Sequence, residues 1–445
     1  MERGAQCAVV LLVPDETGTM LLGRLDALEG ALSLPVGGVD VGADTTRIVA
    51  EVRSLVGAAP AVLRMCTLAW TDQFDPTVIV VETEPMAGGP PRDHGWAVVP
   101  AQRAAEVHPQ VAQPLVDRWI HERVHGLSDA RAPWARQHWW EDAVAWALAA
   151  TDAAGLQVVG APELWKIWGI SIVLRIPVRD GAVYVKSSCE AFRAEAGLTA
   201  ALAGWAPSVV PEVIAFDADA GRLLMRDLGG VSLDEEPGAW AAGLEAMADL
   251  QRLCTAHATS LLATGAQDRP LTTLAEEAVQ LERHDDLMSR LPEETRRQWP
   301  RAARRVADAC LLLDELGPAP TLVHGDLHPG NMVLVDGRVR IFDWTDAAVA
   351  HPFVDLATFL RAADEADRPG LLDAYLRRWD EEMSASQLQR ARRLVLPVGA
   401  FYQVQTYLRL LPTLLPEDRC QLGDGDVRWL QRCLVWLDEH EPDAG

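Results

Sequence analysis

Between residues 321 and 344 the chain encodes a hairpin with a polar open end. MVLV (332–335), Asp336-Gly337 and RVRIF (338–342) read as two short strands around a two-residue turn, among the strongest local hairpin signals. Pairing across that turn sets 335 opposite 338, and so 331 opposite 342 and 330 opposite 343. Asn331 and Asp343 are therefore expected as neighbours, roughly 5–8 Å apart. An amide oxygen and a carboxylate converging there form a hard-oxygen site suited to Mg²⁺ carrying phosphates. Asp326 precedes Asn331 on the adjoining loop, within reach as a base or as a residue that orients a hydroxyl.

Residue usage points to the same place. The 40 basic residues are 38 arginines and two lysines, Lys166 and Lys186, and Asn331 is the only asparagine of the chain. A chain that has almost discarded a residue type keeps it where another type cannot serve, so Lys186 and Asn331 are singled out before any motif is considered. The net charge of −24 argues against nucleic acid as a partner, because phosphate backbones need a positive surface. It suits a cationic small molecule, and it equally suits simple solubility.

At 445 residues the chain is expected to form two or three domains. Strand signals at 7–13, 20–25, 62–71, 77–83 and 96–99, with helices at 45–56 and about 104–124, predict a compact α/β domain over 1–125. A polar linker (GLSDARAP) and a Trp-rich helix fill 126–150. Strands at 171–178 and 182–187 flank the Asp180-Gly181 turn, a helix follows at about 190–203, and strands return near 212–216 and 222–226. Beyond 235 the chain reads as helical, apart from the hairpin. Seven scattered cysteines without a C-x-x-C pair, and no membrane span or signal peptide, predict a cytoplasmic protein with reduced thiols.

HGDLHPGN followed by IFDW and DLATFL resembles the aminoglycoside phosphotransferase family, relatives of choline and homoserine kinases. The resemblance spans about 130–445 and implies a two-lobed, protein-kinase-like fold, with a small lobe at 151–230 and a helical large lobe at 231–445. It implies Asp326 as the catalytic residue, Asn331 and Asp343 as Mg²⁺ ligands, and Lys186 at the nucleotide's α/β-phosphates with Glu195 holding it. It further implies a phosphate-covering loop, Trp168-Gly169-Ile170-Ser171, with Ser171 as a contact. An interlobe hinge in LLMRDLGG (223–230) would meet the nucleotide base through Met225, Asp227 and Leu228. His324 is implied as a backbone brace, and Asp355 as the later aspartate that steadies the catalytic loop. The usual Gly-Asp-Pro before it reads Ala350-His351-Pro352 here, which is expected to alter the adjacent substrate rim.

Residues 1–125 resemble a Nudix domain through LPVGG, a helix and AEVRSLVG. Glu51 and Gly57 fit that family's box, but its next two glutamates fall on Ser54 and Leu55 and its arginine on Ala50. One carboxylate cannot hold Mg²⁺ for water activation, so a retained fold without hydrolysis is expected. The chain is thus read as an α+β, multidomain protein: a Nudix-like α/β/α domain followed by a phosphotransferase. Its expected reaction moves a phosphoryl group from ATP or GTP, with Mg²⁺, to a hydroxyl of a small molecule such as an aminoglycoside or other antibiotic, a sugar or an amino alcohol. A Nudix-type hydrolase of nucleoside diphosphate derivatives and a non-catalytic binding protein on a kinase-like fold are the alternatives.

Overall fold

A computed structural model describes residues 6–15, 20–25, 31–40, 43–56, 61–68, 78–85, 97–100 and 106–439. Gly57, matched to the Nudix box, lies outside them, as do parts of the strand signals at 62–71, 77–83 and 96–99. The chain divides into two compact units, 1–191 with 412–423, and 192–411 with 424–445. No described helix is long and apolar enough to cross a membrane.

The first unit begins with a four-stranded mixed sheet in the order Val36–Asp40, Gln6–Leu12, Val78–Thr83, Val62–Leu68. Gln6–Leu12 runs parallel to Val78–Thr83, and the other pairs are antiparallel. Its apolar content is near-continuous (all of Val78–Thr83 is buried), as suits strands covered on both faces. The helix Thr45–Val56 buries Ile48, Val52 and Val56, one stripe at i, i+4, i+8. A second helix, Gln113–His125, seats Leu115, Val116 and Trp119 in the cluster of Val10, Leu12, Leu32 and Val80. The sequence had suggested this helix from about 104; instead Glu106–His108 forms a strand beside Ala31–Ser33, and Pro109 separates strand from helix.

Residues 126–133, expected as the linker, run back over this domain. Arg131 is buried and pairs with Glu82 at 2.5 Å and Glu122 at 2.7 Å. Trp134 and Trp139 are likewise buried, as core residues. Three antiparallel strands follow, Glu163–Ile167, Ser171–Val178 and Gly181–Ser188, with the Asp180-Gly181 turn where it was expected.

The second unit is mostly helical, around a core that includes Trp299, Phe353, Phe359, Tyr375, Trp379 and Phe401. The hairpin Val213–Asp217 with Arg222–Arg226 belongs to it, as does a three-stranded sheet of Val231–Ser232, Met332–Val335 and Arg338–Ile341. Met332 pairs with Ile341 and Val335 with Arg338, the register read from Asp336-Gly337. A second small sheet sets Ala348–Ala350 between Gln267–Arg269 and Thr321–Val323, bringing the chain before and after the hairpin together. Cys7, Cys66, Cys189, Cys254, Cys310 and Cys433 are buried free thiols.

Candidate active site

In the second unit, Asp326, Asn331 and Asp343 are gathered by one set of braces. The Phe342 N–H donates to the Asn331 carbonyl at 3.0 Å, so the hairpin's open end closes as its register requires. The Asn331 Nδ2 donates to the Asp326 carbonyl at 3.0 Å. That commits the amide's donor to the loop and leaves Oδ1 as its acceptor. Asp343 takes φ +65°, the left-handed region that costs a non-glycine residue about 1–2 kcal/mol. Its Oδ1 accepts the Thr345 hydroxyl at 2.5 Å.

His324 is the pin between the two halves. Its Nε2 faces the Phe342 carbonyl at 2.9 Å, so that nitrogen carries the proton, and Nδ1 accepts from the Asp326 N–H at 3.3 Å. Burial lowers its pKa, against the Phe342 carbonyl and the charges of Asp326 and Asp343, so the ring is neutral and keeps this one tautomer. The brace expected of His324 is thus what its contacts supply. Gly325 needs φ +83°, and a Cβ there would lie 2.2 Å from the Asp346 carbonyl oxygen. Asp355, wholly buried, accepts the N–H of His324 and of Gly325, each at 2.9 Å, and Gln251 Nε2 at 2.9 Å. Burial pushes this carboxyl up to about 7, against those same hydrogen bonds.

Asp326 itself has half of its side chain exposed, and His328 Nε2 stands 3.7 Å from its Oδ2. The His328 Nδ1 accepts the Gly330 N–H at 3.1 Å, so Nε2 carries the ring's proton and presents it to Asp326. At 3.7 Å that N–H faces the carboxylate without a hydrogen bond, and the bond from Gly330 shapes the loop. Glu195 opens the helix Glu195–Trp205, which packs on the turn Trp344–Asp346 just after Asp343, and it is buried there. Met225 is the last residue but one of the hairpin strand Arg222–Arg226, half-buried; Asp227 is exposed and accepts the Gly229 N–H at 3.0 Å; Leu228 lies beside it.

The first unit carries Lys186 and Ser171, both buried, on the antiparallel pair in which Val173 lies opposite Lys186 and Ser171 opposite Ser188. Ser171 Oγ accepts the Trp168 indole N–H at 2.7 Å, so the hydroxyl keeps its own proton for a further acceptor. Lys166 is exposed, 5.0 Å from the Trp168 ring centroid.

The fold and this loop geometry can be set beside known proteins. Residues 163–393, more than half of the chain, match the phosphotransferase enzyme family. The chain belongs to that family. This phosphotransferase is an α+β protein of small-molecule kinase type, preceded by an N-terminal α/β region that the match does not cover. Among solved structures, a macrolide 2'-phosphotransferase type I is 19% identical and aligns over 64% of this chain and 96% of its own, at a TM-score of 0.44. A choline/ethanolamine kinase family protein from Mesorhizobium loti is 18% identical, over 67% and 99%, at 0.46. A third, solved with GDP and kanamycin, is 15% identical, over 68% and 98%, at 0.44. No curated protein matches the chain.

Three residues of this phosphotransferase were invisible in its sequence. Gln251 carries Asp355, and Tyr375 in turn donates to the Gln251 side-chain oxygen. Gln403 Nε2 donates to the Gly325 carbonyl at 2.5 Å. All three are buried, lie far along the chain from the motif and sit in helices without a pattern of their own. His351 departs from expectation. It is buried, donates to the Gly317 carbonyl at 3.0 Å and caps the turn Pro352–Asp355 by accepting the Phe353 N–H. The histidine serves as an internal cap.

Proposed function

We propose that the protein transfers the terminal phosphoryl group of ATP or GTP to a hydroxyl of a small molecule. The carrying observation is the single brace through His324 that holds Asp326, Asn331 and Asp343 to one loop and hairpin. Asp326, half-exposed and faced by the His328 N–H, takes the hydroxyl's proton or orients it as the acceptor oxygen bonds to phosphorus and the diphosphate leaves. The Asn331 amide oxygen and the Asp343 carboxylate are hard donors fitted to Mg²⁺, which when bound would neutralise phosphate charge. Lys186, with Glu195, is assigned to the α/β-phosphates, and Met225, Asp227 and Leu228 to the base. The substrate class is an aminoglycoside or other antibiotic, a sugar or an amino alcohol; the net charge of −24 favours a cationic one.

A nucleotide-consumption screen over hydroxylated and aminated metabolites identifies the acceptor. With that acceptor, Asp326→Ala should lower kcat at least ~10²-fold while nucleotide affinity stays near wild type. A variant keeping more than about a tenth of kcat would remove Asp326 from its role.

For residues 1–125 we propose a Nudix-like domain without hydrolase activity. The carboxylates near its loop have structural work: Glu51 accepts the Gly38 N–H at 3.2 Å, Asp44 caps its helix through the Arg47 N–H at 2.9 Å, and Asp40 lies 3.7 Å from Arg47. Metal-dependent hydrolysis of nucleoside diphosphate derivatives that disappears in Glu51→Gln would overturn this.

A further inference from the structure

The short stretch 412–423 belongs to the first unit and carries a link between the N-terminal domain and the turn at Gly169. Gln421 makes that link with one amide. Its Oε1 accepts the Gly169 N–H at 2.7 Å, and its Nε2 donates to the Met65 carbonyl in the strand Val62–Leu68. Asp418 makes the link tight. A Cβ on Gly169 would lie 3.1 Å from the Asp418 carbonyl oxygen and 3.2 Å from its Cβ, so a side chain there would press on Asp418, which would have to give by a few tenths of an ångström. Asp418 is itself held by Arg64 of the same strand at 3.0 Å. Arg64 also lies 3.6 Å from Glu82 and 3.5 Å from Glu417, which takes Arg118 at 3.2 Å.

The turn so held is well ordered from its other side too. Trp168 N–H donates to the Ser171 carbonyl at 3.0 Å, the Ile170 carbonyl accepts the Cys189 N–H at 2.9 Å, and the Trp168 indole holds Ser171 Oγ. Gly169 N–H is thereby committed to Gln421, and Ser171 retains its hydroxyl proton. A loop that meets phosphate must have its donors fixed beforehand, or binding spends free energy ordering it.

We propose that Gln421 is a positioning residue for the nucleotide: through Gly169 it fixes the Trp168–Ser171 turn against the N-terminal domain, which serves as the turn's scaffold. This rests on the reading of that turn as the phosphate-covering loop. It gives the N-terminal domain a role that needs no catalysis of its own.

The test uses the full chain, Mg·ADP calorimetry and hydrogen exchange of the nucleotide-free protein. Gln421→Met keeps the side chain's size and removes both hydrogen bonds. It should expose the 168–171 amides to faster exchange and weaken Mg·ADP about tenfold, the loss of one ordering hydrogen bond. Gln421→Glu keeps an acceptor for Gly169 and should restore Mg·ADP affinity together with exchange protection there, so that binding follows the Gly169 hydrogen bond. Gly169→Ala, which presses on Asp418, should weaken Mg·ADP in the same direction. Wild-type affinity in Gln421→Met overturns the proposal, whether or not exchange quickens. Lys186→Ala separates the two layers of the argument. If it loses Mg·ADP while Gln421→Met does not, only the role of Gln421 falls. If neither variant loses it, the nucleotide reading of this sheet falls, and the proposal with it.

Discussion

Arg64 and Arg131 of the first unit are sunk among four carboxylates, Glu82, Glu122, Glu417 and Asp418, whereas Asp355 of the second is held by three neutral N–H donors. The difference is one of what each burial is for. Burial alone would lower the Arg64 pKa, but the facing Cys66 sulfur and the charges of Asp418, Glu82 and Glu417 carry it up. Such a cluster is insensitive to pH near neutrality and fragile to truncation. A carboxylate met only by dipoles is less fully compensated, and burial brings Asp355 up to about 7. The first arrangement joins distant chain segments; the second sets the backbone of the His324–Asp326 loop.

The largest effect should come from breaking the first arrangement. Arg64→Met leaves Asp418 buried without its cation, while Glu82 and Glu417 keep Arg131 and Arg118, and should cost about 3–5 kcal/mol in urea unfolding. A loss below 1 kcal/mol would mean that water reaches the cluster and that the contrast between the regions is false.

The neutral brace should show itself in acid. Burial holds the His351 pKa down at about 4, below its ordinary 6.5, against the Gly317 carbonyl it donates to. Its neutral form is thus favoured by the fold. Its contribution is full above pH 6.5 and is lost as pH falls toward 4, up to about 3 kcal/mol. Asp355 acts with the opposite sign, because its folded pKa is raised: its contribution is full below the ordinary 3.8 and is lost as pH rises through about 7. Urea midpoints between pH 4 and 7 should therefore fall on the acid side less steeply in His351→Gln than in the wild type. Equal slopes would remove His351 from the account.

The smallest effect sharpens the comparison from outside. Arg378 and Asp249 form a bidentate pair at 2.8 Å on an exposed face. Arg378→Ala should cost under about 1 kcal/mol by the same measurement, since water screens what burial would magnify. A cost near that of Arg64→Met would show that burial is not what separates the two.

How much of this was legible varies with sequence distance. The Asp336-Gly337 hairpin and its register are decided by a two-residue turn, so strand pairing follows from local chain geometry. Asn331, Asp343 and Asp326 were found because they lie within 18 positions and include the chain's only asparagine. Gln251 and Gln403 were not found, for glutamines in helices carry no signal until Asp355 and Gly325 are brought to them. His351 is visible in the sequence as a departure from the motif, but only the structure tells that it is buried and caps an internal turn.

By itself, then, the sequence determined the alternating strands, the turns and the motif loop, and singled out Lys186 and Asn331. Each depends on neighbours a few residues away, or on side-chain chemistry that no other residue supplies. Tertiary structure alone decided that Arg64 would meet Asp418 across 354 positions and that Gln421 would reach both Met65 and Gly169. Such partners share no period or spacing. They are chosen by which buried charges and polar groups must be satisfied once the chain has closed around them.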